Sequence, residues 1–227
     1  MPSYSGPGRR PLPTSRGAIQ HHQLLDAVAG SVPADRFPEI ETATLTRLQH
    51  AVPCIEGREL MSVIATYHQA LAVRAYGVIG PRWPSVRLIG RAPRVARETR
   101  PRYELIVPAA HLGELEAWLH RHWTEAARLV ADDGRPESRR AAARTMLRAA
   151  LLVSSSNRTR AQIRLRVPDP DTMRTLADAG QALQLDTTGH RAQGGHLFLT
   201  VDDRAQMIRL LRAVGAGSWA EAWAARD

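Results

Sequence analysis

The chain has 227 residues, 44% of them hydrophobic, which provides a real core and excludes wholesale disorder. No run approaches the roughly 20 apolar residues of a membrane helix, and the opening MPSYSGPGRRPLPTSRG lacks the apolar centre of a signal peptide. The single cysteine, Cys54, excludes an internal disulfide framework and a multi-thiolate zinc site, so a cytoplasmic address is expected.

Along the chain, residues 1–17 are rich in Pro, Gly, Ser and Arg and read as a flexible basic tail. Residues 18–56 read as an N-terminal helical segment. It has one helix over 18–29 and another over 42–52, stopped by Gly30 and Pro53. A first α/β repeat is expected over 57–130. In it, Leu60, Val63, Ile64, Tyr67 and Leu71 carry helical spacing through Glu59 to Val78. Two short strands follow, VRLIG and YELIV, joined by an Arg-rich loop, and then a helix with Leu112, Leu115, Trp118 and Leu119 inward.

Residues 131–137 form the linker, and a second repeat is expected over 138–227. Ser138 caps an Ala-rich helix to Val153, AQIRLRV is a strand, and Asp169-Pro170 opens a helix ending near Gly180. LQLDTTGH and HLFLTV form a hairpin around Gly194-Gly195, and Asp202 caps the next helix. YELIV-P-AAHLGELEAWL and HLFLTV-DDRAQMIRLLRAV share one pattern, which predicts a duplicated α/β unit.

All 31 basic residues are Arg, against 22 acids, for a net charge of +9. Arg in place of Lys fits GC-rich coding; its distribution needs a spatial reason. Residues 82–102 hold seven Arg and one acid, and residues 138–168 hold eight Arg and no acid. Such segregation is the electrostatic footprint of a polyanion partner. In 158–167, Ala161, Ile163, Leu165 and Val167 share one face of a strand, while Arg158, Arg160, Gln162, Arg164 and Arg166 share the other. A β-ribbon of this kind fits the DNA major groove, with Arg reading guanine and Gln reading adenine. Arg87 and Arg91 alternate similarly, and Arg94, Arg97, Arg100 and Arg102 belong to the adjoining loop, where phosphate contacts are expected. His120 and His122 are two apart on a helix and face different ways, so they form no metal pair. Walker and dinucleotide fingerprints are absent, and no cofactor or metal is expected.

The segment from LRAALLVSSSNRTRAQIRLRVP to LLRAVGAGSWAEAW, about residues 147–223, resembles the second half of the LAGLIDADG-like domain of the sporulation regulator WhiA. RLIGRAPRVARETRPRYELIVPAAHLGELEAWL resembles the end of that domain's first half. The resemblance implies an α+β fold, a pseudo-dimer of two αββαββα units forming a saddle-shaped sheet on DNA, with the first unit shortened. It also implies two central helices packed closely, which Ala142, Ala149 and Ala150 would permit, and an actinobacterial, high-GC source. WhiA continues into a helix-turn-helix domain, for which no room is expected before Asp227. Related homing endonucleases place a metal-binding acid at the end of each central helix, and here Ser155 matches one such position. The expected function is therefore non-catalytic, sequence-specific binding of double-stranded DNA by a nucleoid-associated monomer, in transcription regulation. An active endonuclease, or an RNA- or protein-binding module, is the alternative.

Overall fold

The computed structural model describes residues 25–31, 37–49, 52–53, 59–92, 100–132, 134–154 and 162–224. Residues 25–30 are helical, and α1 (Pro38–Leu48) follows, with Pro38 in the first turn, Glu39 and Glu41 near its positive end and Arg47 near its negative end. Next come β1 (Val52–Pro53), β2 (Leu60–Thr66), α2 (Gln69–Ile79), β3 (Arg87–Arg91), β4 (Arg102–Pro108) and the long α3 (Ala109–Ala131). The second half runs α4 (Pro136–Ser154), β5 (Ile163–Val167), α5 (Pro170–Ala182), β6 (Thr188–Arg191), β7 (Leu197–Val201), α6 (Arg204–Ala213) and α7 (Gly217–Ala224). No described helix is long and apolar enough to cross a membrane.

Two antiparallel sheets result, in the orders β1-β2-β4-β3 and β5-β7-β6. In each, a strand leads into a helix, and the last strand of the following pair returns to the middle of the sheet. Helices α1 and α4 pack against each other, one from each half. Small residues line that seam: Ala43 and Thr44 on α1, and Ala142, Ala149 and Ala150 on α4, are all buried. Trp118 of α3 is buried as the sequence predicts, as are Leu115 and Leu119, and Met207, Leu210 and Leu211 of α6.

Local chemistry sets several boundaries. The Asp169 side chain accepts from Thr172 N at 2.7 Å, so Asp169 caps α5 with Pro170 at the first helical position, as predicted. Gly194 and Gly195 have φ of 94° and 82°, the left-handed conformations that close the β6–β7 hairpin. In α5, a Cβ on Gly180 would lie 2.8 Å from Thr187 Cγ2, so a larger residue there would have to displace the Thr187 side chain.

Besides α4, which starts at Pro136 and so takes Ser138 into its first turn instead of being capped by it, three boundaries differ from the sequence reading. Asp203, not Asp202, caps α6, its side chain accepting from Gln206 N at 2.8 Å. The second helix of the N-terminal region starts at Pro38 and ends at Leu48, before Val52 enters β1. The third difference is larger: Glu59 to Val78 is not one helix but β2 followed by α2. The register of β2 on β4 shifts between Ser62 and Ile64. A bulge adds one residue and breaks the two-residue period. Val63 and Ile64 are consequently both buried, and with Leu60 and Tyr67 they imitate helical spacing. With β2 restored, the first half is not shortened; it contributes four of the seven described strands.

Candidate nucleic-acid interface

On β5, Ile163, Leu165 and Val167 are buried in the core, while Arg166 is exposed and Arg164 and Gln162 are half-buried on the opposite side. The alternation read from the sequence holds across this strand. Arg164 lies opposite Thr200 of β7, which lies opposite Thr188 of β6; Arg166 lies opposite Phe198, which lies opposite His190. Directly opposed residues share a face. The outer surface of this sheet is therefore two rows, Arg164-Thr200-Thr188 and Arg166-Phe198-His190.

Hydrogen bonds hold the rows in place without neutralising them. Arg164 Nε donates to Gln162 Oε1 at 2.7 Å, and Arg166 Nη2 meets His196 Nδ1 at 3.0 Å. His190 stacks on Phe198 with centroids 5.8 Å apart, and its Nδ1 lies 3.3 Å from Thr200 Oγ1. Among the described residues no carboxylate pairs with Arg164 or Arg166. Phe198, His190, Thr188, Thr200 and His196 were not singled out from the sequence. The alternation in HLFLTV, with Leu197, Leu199 and Val201 buried, was the signal that would have found Phe198 and Thr200.

The first sheet is different. Its outer side carries Arg87, Ile89 and Arg91 on β3 opposite Ile106, Glu104 and Arg102 on β4. Arg87 is exposed. Arg91 and Arg102 both converge on Glu104, their Nε atoms lying 2.8 and 3.2 Å from its two carboxylate oxygens. The acid within YELIV thus partly neutralises the two arginines beside it. Arg100 is also engaged, since its Nη2 donates to Asp26 of the helical segment 25–30. Burial pushes the Asp26 carboxyl up, but hydrogen bonds from His68 and Arg100 outweigh it and hold it below the usual carboxylate range. Arg94, Arg97, Arg158 and Arg160 lie outside the described residues.

Other arginines of the two basic windows serve the fold. Arg148 is buried, Arg82 stacks its guanidinium 5.0 Å from the Trp118 ring, and Arg139 Nε donates to Val130 O at 2.9 Å. The unit seam also has a polar edge, where Arg47 of α1 reaches Asp169 at 2.9 Å and Thr172 Oγ1 at 3.0 Å on α5.

At the end of α1 stands Gln49, whose amide is fully committed. Its Nε2 donates to Ala65 O and its Oε1 accepts from Ala65 N, both at 2.8 Å. The end of α4 is Ser154, and Ser155 lies outside the described residues. Among the described residues no group of three or more His, Cys, Asp or Glu side chains is placed to hold a metal ion. His122 is half-buried with its ring 4.4 Å from that of Trp118, and burial lowers its pKa.

A scan against protein-family models and a search of curated proteins give no match. Solved structures do. The crystal structure of full-length DUF199/WhiA from Thermatoga maritima superposes with a TM-score of 0.56 at 11% identity, over 89% of this chain and 63% of that one. The N-terminal LAGLIDADG domain of DUF199/WhiA gives 0.55 at 9% identity, over 86% and 89%. A mesophilic variant from the homing endonuclease I-DmoI gives 0.53 at 12% identity, over 79% and 96%. The chain has a LAGLIDADG fold. Helices α1 and α4 pack together in it, and the two sheets belong to the two successive halves of the chain. The chain spans about 63% of the full-length WhiA protein and nearly all of the lengths of the other two structures.

Proposed function

We propose that this chain binds double-stranded DNA in a sequence-specific way, without cleaving it, and acts in transcription regulation. The observation that carries the reading is the outer face of the β5-β7-β6 sheet. Arg164 and Arg166 stand there two residues apart, with no carboxylate paired to either among the described residues. Guanidinium groups on a β-surface can bond guanine O6 and N7, and the half-buried Phe198 beside them can meet thymine methyls. An I-DmoI variant of the same fold was crystallised in complex with its target DNA, at a TM-score of 0.50 and 10% identity.

The absence of cleavage is argued from donor chemistry. The endonuclease resemblance implies a carboxylate at the end of each central helix to hold a divalent metal beside the scissile phosphate. The donors present do not fit that ion. Gln49, at the end of α1, is a neutral amide with both ends bonded to Ala65. Ser155, in sequence at the end of α4, is a neutral hydroxyl, and no acid lies between Ser138 and Pro168. Hard divalent cations select carboxylate oxygens. We place the chain in the cytoplasm, on the nucleoid, as a monomer whose two halves take the place of two subunits.

The test is an electrophoretic shift with random and genomic duplexes over a salt series, with structured RNA as competitor. With about four arginines on phosphates, log K against log salt should fall with a slope of about −4. A preferred genomic site should emerge at least tenfold above random duplex. Salt-independent affinity, or RNA that competes as well as duplex DNA, would reject the reading.

A further inference from the structure

We propose that Gln162 and His196 are positioning residues that aim Arg164 and Arg166 at two separate guanines, so that the preferred duplex carries two guanines with at least one base pair between them. The inference rests on the DNA-binding reading above and adds what each arginine meets and what holds it there. The two holders sit at opposite ends of β5. Gln162 immediately precedes the strand, and the pairing of Val167 with Leu197 brings His196 beside its far end. Gln162 is half-buried, and its Oε1 accepts from Arg164 Nε at 2.7 Å. That bond leaves open the Nη1–Nη2 edge of Arg164, a planar pair of N–H donors that matches guanine O6 and N7. His196 Nδ1 lies 3.0 Å from Arg166 Nη2, the arrangement of a neutral imidazole accepting an arginine N–H. One N–H of Arg166 is spent there, and a two-donor edge remains.

Neither holder is a carboxylate, so each guanidinium keeps its charge while its long side chain loses rotamer freedom before DNA arrives. The pattern of the sequence suits Gln162 to adenine, which a glutamine reads with amide oxygen and nitrogen together. In the fold that oxygen is committed to Arg164, and the task of Gln162 passes to holding its neighbour. The spacing of the two guanines follows from the strand. Residues two apart on a strand are separated by about 6.6 Å, and base pairs stack about 3.4 Å apart. Arg164 and Arg166 therefore span two base-pair steps where β5 follows the groove. Their holders draw them towards opposite ends of the strand, which disfavours adjacent guanines.

The experiment selects duplexes from a randomised library with the full chain and repeats the selection with variants whose folding is checked by circular dichroism. The parent chain should enrich two guanines separated by one or two base pairs, each preferred over adenine by about fivefold or more. Gln162→Leu keeps the bulk without the acceptor and should cut that preference about threefold or more at one of the two positions. Added to Arg164→Ala, it should cost nothing further there, as expected of a residue that acts through Arg164. His196→Ala should weaken the preference at the other position, and His196→Asn, which keeps an acceptor near Nδ1, should restore it. Four outcomes overturn the proposal alone: a preferred duplex whose guanines are adjacent or absent, loss of an adenine in Gln162→Leu, equal losses at every position, or no rescue by His196→Asn. A chain that binds no duplex overturns it together with the reading beneath it.

Discussion

Glu41 and Arg148 meet in the seam between α1 and α4, with Oε1 of the one 3.1 Å from Nε of the other, so each half supplies one member of a buried ion pair. The Arg148 side chain is 1% exposed, and its guanidinium also donates to Val28 O at 2.6 Å, Ser31 Oγ at 3.0 Å and Ser31 O. Glu41 is shared with Arg74 of α2, at 3.2 Å. Burial pushes the Arg148 pKa down and Glu41 opposes the shift; a guanidinium stays charged regardless. The cluster therefore joins α1, α2 and α4 to the carbonyl end of the helical segment 25–30.

Removing Arg148 should be among the most damaging single changes. Arg148→Ala leaves the buried Glu41 carboxylate without this cation and the Ser31 carbonyl without its Arg148 donor, and a cost of about 3–5 kcal/mol is expected from urea unfolding. In a double-mutant cycle with Glu41→Gln, the two losses should fall short of additivity by about 1 kcal/mol or more. A cost below about 1 kcal/mol for Arg148→Ala would show that apolar packing alone holds the seam.

Base reading and phosphate binding should separate by residue. Arg164→Ala should cost about 1–3 kcal/mol on a preferred site and less on random duplex. Arg87→Ala, at the exposed start of β3, should weaken all duplexes alike and flatten the salt slope by about one. Equal losses on every sequence for both variants would leave only a charged surface.

Glu104 gives a test in the opposite direction. It holds Arg91 and Arg102 on the outer side of the first sheet, and Glu104→Gln keeps its shape while removing its charge. The negative charge that Arg91 and Arg102 share is then removed from this sheet. Affinity for random duplex should rise, with a salt slope steeper by about one. Unchanged affinity and slope would place that sheet away from DNA.

Acid should weaken two further contacts. For Asp169, burial raises the pKa but hydrogen bonds from Thr172 and the charge of Arg47 lower it further; Asp26 is likewise held below its usual range. A carboxylate whose folded pKa is depressed adds stability that is fully present above its unfolded value, near 4, and is lost as pH falls through the folded value. Asp169→Asn should therefore cost about 1 kcal/mol at pH 7 and progressively less below pH 4, followed by thermal melts. A cost that stays constant down to pH 2 would mean the charge contributes nothing.

No duplex should be cut in Mg²⁺ or Mn²⁺, given Gln49 at the end of α1 and a serine, Ser155, next in sequence after α4. Site-specific cleavage by protein free of contaminating nuclease, abolished by a point substitution in this chain, would falsify the non-catalytic reading.

The sequence by itself determined what depends on local periodicity and turn chemistry. The Ile163-Leu165-Val167 alternation, the Asp169-Pro170 helix start and the Gly194-Gly195 hairpin need only near neighbours to be specified. The resemblance implied that two helices pack together, and the small residues of α4 are buried where α1 and α4 do so.

Only the tertiary structure decided which arginines are free to meet a partner. The run from Ser138 to Pro168 contains no acid, yet Arg148 is neutralised by Glu41, 107 residues earlier in the chain. Arg100 finds Asp26 across a similar gap of 74 residues. Ion pairs form between residues that the fold brings together, so a charge count along the chain overstates the open surface. The bulge in β2 misled the reading for a related reason. Its register is set by pairing with β4, some 40 residues on, and one inserted residue was enough to make a strand look helical.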